Sequence, residues 1–156
     1  MKNSGNKTSM KQEPDKLIRN YTETDLEEMV RIWYDASVLA HSFIPSSFWA
    51  LNKKAMRDKY FPLAENLVFE EEGKAVGFIS LVGERVCALF VAPEMQGKGI
   101  GRALLKNALD LKGNLSLKVY RENENALCFY EKCGFVAIGE ESDDFTGRKQ
   151  ILMERK

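Results

Sequence analysis

The sequence has few of the features that mark secreted, membrane or nucleic-acid-binding proteins. Its 156 residues include three cysteines and one histidine, and 23 basic residues balance 23 acidic ones. A net charge of zero argues against a broad nucleic-acid footprint. No apolar run is long enough to span a bilayer or to form the core of a signal peptide. We therefore expect neither a nucleic-acid partner nor a membrane partner.

The three cysteines, Cys87, Cys128 and Cys133, all lie within apolar patterns. An odd number cannot pair completely in disulfides, and their spacing does not match a zinc site. We therefore predict reduced thiols buried in the core, and no metal. Reduced thiols favour a cytoplasmic location.

The length and composition are typical of one globular domain. Residues 1–16 are polar and lack periodicity, which predicts a flexible N-terminal tail. Residues 17–156 are long enough to bury a sizeable single core, so we predict one domain there.

Hydrophobic periodicity predicts an α+β (mixed α/β) fold, with a central, mixed, mostly antiparallel sheet of about seven strands and about four flanking helices. The spacing of Thr24 and Glu27 indicates a capping box at the start of a helix over 25–40. The segment 85–92 is almost continuously apolar, which predicts a strand buried on both faces. Further strands are predicted at 17–21, 66–71, 75–82, 115–120, 135–139 and 150–153, and further helices at 103–111 and from Asn123.

The second helix of this pattern begins at Ser46 or Ser47 and runs towards Tyr60, where Pro62 is expected to close it. It carries apolar residues on more than one face. One side therefore lines either a cleft or a second part of the core.

The stretch 96–102, Gln-Gly-Lys-Gly-Ile-Gly-Arg, places three glycines between a predicted strand and a predicted helix. Such a turn exposes backbone N–H groups at the positive end of the helix dipole, where phosphate groups bind well, and Lys98 and Arg102 add positive charge. The stretch matches neither a P-loop nor the Gly-x-Gly-x-x-Gly spacing of a dinucleotide-binding loop. The alternative is an ordinary glycine-rich turn.

Two segments resemble motifs of the GCN5-related N-acetyltransferase (GNAT) superfamily, in the same order and structural context. The stretch 96–102 resembles its Gln/Arg-x-x-Gly-x-Gly/Ala signature, and 123–135 resembles its Asn-x-x-Ala-x-x-x-Tyr-x-x-x-Gly-Phe element. The resemblance implies the GNAT fold and a loop that holds the pyrophosphate of acetyl-CoA. The donor-binding residues that it implies are Phe90 and Val91, through their backbone, and Gln96, Gly97, Lys98, Gly99, Ile100, Gly101, Arg102, Asn123, Ala126 and Phe129.

The resemblance also implies a catalytic role for Tyr130, which falls where many family members place a tyrosine beside the CoA sulfur. Its hydroxyl would donate a proton to the leaving thiolate. By periodicity alone, Tyr130 is an aromatic residue on the core-facing stripe of a helix.

The general base is less evident, because the strand segment 86–89, where family members often carry a glutamate, has no carboxylate. One candidate is Glu84 at the hairpin end, which is otherwise a solvated turn residue. The other is His41, whose pKa is ordinarily near neutral and whose alternative role is structural. The segment 41–44, His-Ser-Phe-Ile, resembles a small bacterial GNAT subgroup that includes lysine-acetylating enzymes.

The function implied by the resemblance is N-acetyltransfer from acetyl-CoA to a primary amine, by direct attack in a ternary complex. The favoured acceptor is a protein lysine or an N-terminal amine. Asp143 and Asp144 would draw this cationic amine towards the cleft, and the alternative is that they form a solvated acidic loop. The alternatives are a small-molecule amine as acceptor, or a non-catalytic acyl-CoA-binding domain. The sequence is compatible with a monomer or a homodimer.

Overall fold

The computed structural model describes residues 17–156, and the predicted flexible tail at 1–16 lies outside the described residues. The strands are β1 (Ile18–Asn20), β2 (Glu65–Glu71), β3 (Lys74–Val82), β4 (Arg85–Val91), β5 (Leu115–Tyr120), β6 (Val136–Ser142) and β7 (Lys149–Arg155). The helices are α1 (Leu26–Ala40), α2 (Ser46–Leu51), α3 (Lys53–Ala55), α4 (Phe61–Leu63), α5 (Ile100–Lys112) and α6 (Glu124–Lys132).

The strands form one seven-stranded sheet in the order β1-β2-β3-β4-β5-β7-β6. Neighbouring strands are antiparallel except for β4 and β5, which α5 joins as a parallel crossover. The predicted fold class, a mixed and mostly antiparallel sheet with flanking helices, is therefore confirmed. In the described part of the chain, no helix is long and apolar enough to cross a membrane.

Two hydrophobic cores cover the two faces of the sheet. Phe78 and Ile79 are neighbours on β3 and are both fully buried, because successive strand side chains point to opposite faces. Phe78 packs in one core with Met29 of α1, and Ile79 packs in the other with Leu104 of α5. Each such side chain contributes about 1.5–3 kcal/mol by its removal from water.

The capping box before the first helix lies two residues earlier than predicted, at Thr22 and Asp25. A 3-10 turn at Glu23–Asp25 precedes α1, and the Thr22 N–H donates to Asp25 Oδ2 at 2.7 Å. Arg19 also donates to this carboxylate at 2.8 Å, so the buried charge of Asp25 is paired. The helix at 25–40 is confirmed, but the predicted Thr24–Glu27 box was wrong because Asp25, three residues after Thr22, makes the cap.

The second helical region continues past the predicted stop. Asn52 interrupts it after α2, and a π-helical turn at Met56–Tyr60 leads into α4. Pro62 was predicted to close this helix, but it lies within the first positions of α4. Proline is tolerated there because its missing N–H is not needed in the first turn of a helical segment.

A β-bulge in β4 opens the sheet at its centre. On β3, Ser80 is paired with Ala88 and Leu81 with Val86, so Cys87 has no partner in the register. Beyond the bulge β4 turns away from β5, and the parallel pairing of these strands ends at Val86. Bulges bend a strand in this way. The prediction that β4 is buried on both faces was therefore wrong, because its C-terminal half borders a gap.

Two smaller predictions were also wrong. Cys133 is buried as expected, but Cys87 lies in the bulge and Cys128 on the outer side of α6, and both are exposed. The last two strands extend further than the predicted ranges 135–139 and 150–153. Their polar, exposed residues continue the hairpin by backbone pairing, which an apolar pattern does not reveal.

Candidate active site

A cleft of about 610 Å³ lies between the end of β4, the start of α5, α6 and the end of α1. Most of the residues predicted to bind the donor line it. The lining residues are Ala36, Leu39, Ala40, Leu89, Phe90, Val91, Met95, Gln96, Gly97, Gly99, Ile100, Gly101, Arg102, Asn123, Asn125, Ala126, Phe129 and Tyr130.

We call this cleft the donor cleft, because it contains the residues predicted to bind the acetyl donor. The glycine-rich loop presents its backbone to it. Gly97 and Gly99 have φ angles of 80° and 84°, in the left-handed region that favours glycine. A Cβ on either residue would meet no protein atom within 4 Å. The N–H groups of residues 97–102 donate to no acceptor among residues 17–156. Consecutive free donors at the start of α5 form an anion site that fits a pyrophosphate group.

Side chains beside the loop fix its position and add charge. Gln96 Nε2 donates to Val91 O at 3.0 Å and so joins the loop to the end of β4. Arg102 lines the cleft, whereas Lys98 does not; the Lys98 Nζ lies 3.9 Å from Met95 Sδ. Of the two predicted basic residues, the structure brings only Arg102 to the cleft wall.

The end of β4 turns unpaired backbone groups towards the gap. The Ala92 N–H donates to β3, whereas Val91 O accepts from Gln96. Because successive residues of a strand direct their backbone groups to opposite sides, Phe90 faces β3, and Leu89 and Val91 face the gap. The geometry therefore favours Leu89 and Val91 as N–H donors. Phe90, which the resemblance implied, contributes its side chain to the wall.

A second cavity of about 220 Å³ occupies the gap between β4 and β5. Aromatic side chains from several elements form part of its wall. The lining residues are Trp33, His41, Trp49, Val86, Cys87, Ala88, Leu89, Phe90, Leu117, Lys118, Val119, Tyr120, Asn123, Ala126, Tyr130 and Gln150. The wall that it shares with the donor cleft consists of Leu89, Phe90, Asn123, Ala126 and Tyr130.

Tyr130 lies in this shared wall. Its side chain is buried, and its ring packs against Phe129 and Phe135 at centroid distances of 5.2 and 5.6 Å. Burial raises the pKa of the Tyr130 phenol because it disfavours the phenolate. Among the described residues, nothing forms a hydrogen bond with its hydroxyl. Tyr130 therefore keeps its proton at neutral pH and has a donor available at the junction of the cavities.

His41 is also buried, at the edge of the second cavity. Its ring stacks on Trp49 at 5.1 Å and meets Tyr120 edge-on at 5.2 Å. Burial lowers the pKa of the His41 imidazole, which disfavours its protonated form. Its Nε2 lies 3.2 Å from Asn123 Nδ2. His41 thus contacts the site through the residue that caps α6.

The acidic candidates do not reach either cavity. Glu84 lies at the exposed β3–β4 turn, at the opposite end of β4 from the glycine-rich loop. Asp143 accepts from Tyr120 Oη and from Thr146 Oγ1, each at 2.7 Å, and so organises the β6–β7 loop. Asp144 is exposed. Within residues 17–156, no carboxylate lines the cavities and no cluster of His, Cys, Asp or Glu could hold a metal ion.

Sequence reasoning missed most of the second cavity. Trp33, Trp49 and Tyr120 come from α1, α2 and β5, and no single motif contains them. One signal was available, because the helix that carries Trp49 has apolar residues on more than one face. Leu89 was missed because the direction of its backbone groups depends on the bulge at Cys87.

Comparisons with known proteins agree with this geometry. Residues 62–137 match the model of an acetyltransferase (GNAT) domain. The chain is 35% identical over 120 residues to the peptidyl-lysine N-acetyltransferase YiaC of Escherichia coli, covering 76% of this chain and 82% of that protein. It is 32% identical over 137 residues to the peptidyl-lysine N-acetyltransferase YjaB of Escherichia coli, covering 87% and 92%.

Solved structures show the same fold. The solution structure of apo YjaB from Escherichia coli has a TM-score of 0.78 at 31% identity, covering 88% of this chain and 95% of that one. A crystal structure of PaiA N-acetyltransferase from Thermoplasma acidophilum in complex with coenzyme A has a TM-score of 0.74 at 22% identity, covering 89% and 97%. The protein is an N-acetyltransferase that takes its acetyl group from acetyl-CoA, and it belongs to the GNAT family.

Proposed function

We propose that this N-acetyltransferase acetylates the ε-amine of lysine side chains in proteins, by direct attack in a ternary complex. The observation that supports this most strongly is the shared wall between the donor cleft and the second cavity. A nucleophile in the second cavity would meet a thioester in the cleft directly. Such an arrangement needs no covalent enzyme intermediate.

The donor would be held mainly by backbone groups. The free N–H groups of residues 97–102 and the start of α5 suit the pyrophosphate, and Arg102 adds a positive charge beside it. Further along the cleft, the N–H groups of Leu89 and Val91 suit the pantetheine arm and the thioester oxygen. Donors aimed at that oxygen stabilise the negative charge that develops during attack.

The second cavity suits the side chain of a lysine. At about 220 Å³ it is smaller than most small-molecule sites, which occupy about 300–1,000 Å³. Its aromatic walls, including Trp33, Trp49 and Phe90, can pack against the methylene stem and attract the ammonium before it is desolvated. Two relatives are named peptidyl-lysine N-acetyltransferases, which supports a peptidyl acceptor.

Deprotonation of the amine would depend on burial and solvent. An exposed lysine amine has a pKa of about 10.4, and only its neutral form has a lone pair for attack. Apolar walls lower the pKa of an enclosed amine, because they disfavour the ammonium. Since no carboxylate among the described residues lines the cavity, we propose that the proton leaves to water.

Tyr130 would complete the reaction as a general acid. Its buried phenol stays protonated at neutral pH, as the raised pKa indicates, and it lines both cavities. From there its hydroxyl can donate to the leaving thiolate.

We place the reaction in the cytoplasm, which the three free thiols of Cys87, Cys128 and Cys133 support.

The test is a thiol-release assay with acetyl-CoA and matched peptides. One peptide has a single lysine and a blocked N-terminus, its control has norleucine in place of lysine, and a third has a free N-terminus without lysine. Polyamines and amino acids form a separate panel. We expect turnover with the lysine peptide only, and tandem mass spectrometry should place the acetyl group on the ε-nitrogen.

Three outcomes contradict the proposal. Turnover with small amines alone would assign the second cavity to a metabolite, and turnover with the free N-terminus alone would assign it to an α-amine. Binding of CoA without turnover of any amine would instead favour a non-catalytic acyl-CoA-binding domain.

A further inference from the structure

The hydrogen bonds of His41 define its protonation. Its Nδ1 lies 3.0 Å from the carbonyl oxygen of Ser37, and a carbonyl only accepts, so Nδ1 carries the hydrogen. In a neutral imidazole the other nitrogen, Nε2, is then an acceptor. This state agrees with the burial of the ring, of which 6% is exposed.

Asn123 supplies the matching donor. Its Oδ1 accepts from the Ala126 N–H at 3.2 Å, as the cap of α6, and this bond fixes which end of the amide is oxygen. The amide nitrogen then points to His41 Nε2, 3.2 Å away. Both Asn123 and Ala126 lie in the wall between the donor cleft and the second cavity.

We infer that His41 is a positioning residue, which holds Asn123 at the junction of the two cavities and does not itself act as a base. The ring is fixed by contacts with Trp49 and Tyr120, so a buried acceptor is held at one point in space. Through Asn123, His41 orients the first turn of α6, which carries part of the wall of the donor cleft. The end of α1 and the start of α6 are thereby joined across the active site.

The bond to Asn123 argues against a base at this position. The single lone pair of Nε2 already accepts a hydrogen bond, and protonation there would place two donors against each other. His41 also lines the second cavity but not the donor cleft, whereas Asn123 lines both. Its influence on the donor therefore passes through Asn123.

Two substitutions separate positioning from base catalysis. His41→Gln retains an acceptor in its side-chain oxygen but cannot take up a proton near neutral pH. His41→Phe retains an aromatic ring on Trp49 and Tyr120 but removes the acceptor. We expect His41→Phe to weaken acetyl-CoA binding about fivefold, the usual net value of one hydrogen bond, and to lower kcat. His41→Gln should recover most of both losses.

Base catalysis predicts another pattern, in which both variants lose kcat equally while their affinity for acetyl-CoA is unchanged. A purely structural role predicts a lower unfolding midpoint for both variants, with wild-type kcat and acetyl-CoA affinity in the folded enzyme. Either result would overturn the inference. Thermal unfolding of each variant, compared with the assay temperature, confirms that folded protein is being measured.

A double-mutant cycle makes the coupling explicit. If His41 acts through Asn123, then His41→Phe should weaken acetyl-CoA binding little further in an Asn123→Ala background. Additive effects would show that the two residues act independently. The inference rests on acetyl-CoA use and not on a lysine acceptor, and calorimetric binding of acetyl-CoA needs no acceptor. Its failure is therefore distinguishable from failure of the peptide assay.

Discussion

The donor cleft and the second cavity meet at one wall but are built differently. The part of the cleft suited to the pyrophosphate consists of backbone groups from the continuous stretch 97–102. The second cavity consists of side chains that come from several helices and strands far apart in the chain. In the proposed function, a group common to all CoA thioesters would be bound by local backbone, and a variable acceptor by dispersed side chains.

This difference determines how each region responds to substitution. In the donor cleft, a side chain matters mainly where it blocks access to the backbone or changes the conformation of a glycine. In the second cavity, residues outside the shared wall can change without altering the donor site, except His41, which contacts the shared wall through Asn123. Substitutions should therefore change the affinity for acetyl-CoA and the affinity for the acceptor separately. Tyr130, in the shared wall, should affect the rate of acetyl transfer.

The largest expected effect is at the shared wall. Tyr130→Phe should lower kcat about 100-fold, the lower range for loss of a general acid, while the dissociation constant of acetyl-CoA changes little. The substitution keeps the ring that packs on Phe129 and Phe135. Steady-state kinetics together with calorimetry make the measurement. A kcat equal to the wild-type value would return Tyr130 to a packing role.

A substitution in the glycine-rich loop should affect the donor alone. Gly99→Leu places a side chain at the anion site and should raise the dissociation constant of acetyl-CoA about tenfold, because it hinders approach to the backbone donors. The matched control is Gly113→Leu at the end of α5. Gly113 has a φ of 82° against 84° for Gly99, and a Cβ on either meets nothing within 4 Å.

Both glycine variants should lose stability, since both force a side chain onto a backbone with a positive φ. Only Gly99→Leu should lose affinity for acetyl-CoA in calorimetric titrations. Equal affinities in the two variants would remove the loop from the donor site.

A smaller effect is expected in the second cavity. Trp49→Phe reduces the aromatic wall and should raise the KM for a lysine peptide about threefold, with no change in acetyl-CoA affinity. Leu51→Ala on the same helix is the control, because Leu51 is 83% exposed and lines neither cavity. A Trp49→Phe enzyme that loses acetyl-CoA affinity but keeps its peptide KM would reverse the assignment of the two regions.

The smallest expected effect is the pH dependence of stability that comes from His41, which contacts the shared wall through Asn123. Burial depresses the pKa of His41 below its ordinary value of 6.5, so the unfolded chain binds more protons than the folded one below that pH. The stability contributed by the neutral ring is present above about pH 6.5 and is lost as the pH falls below it. His41 is the single histidine of the chain.

Denaturant unfolding at pH 7 and pH 5 measures this effect. Wild-type protein should lose more free energy of unfolding than His41→Gln over this interval, because the variant lacks the imidazole and otherwise has the same titrating groups. Equal losses would show that His41 is not held neutral by the fold.

The sequence predicted the regions of the site that depend on local pattern. The loop at 96–102 and the cap at Asn123 are short motifs, and the structure brings most of their residues to one cleft. The alternation of β3 and the crossover after β4 likewise follow from periodicity and chain order. The fold class was predictable because these patterns agree with one another.

The rest depended on packing between distant segments. The bulge at Cys87 decides which backbone groups face the gap, and it follows from the register with β3, not from the composition of β4. The partner of His41 Nε2 is Asn123, which lies 82 residues away in the sequence. Likewise, Trp33, Trp49 and Tyr120 become one wall only when α1, α2 and β5 meet.

A bisubstrate analogue tests the meeting of the two regions most directly. The analogue joins the ε-nitrogen of a lysine peptide to the CoA sulfur, and its affinity is compared with that of CoA by calorimetry. If the two cavities form one continuous site, the analogue should bind at least about tenfold more tightly than CoA, and Trp49→Phe should reduce that gain without changing CoA affinity. An analogue that binds no more tightly than CoA would contradict the account.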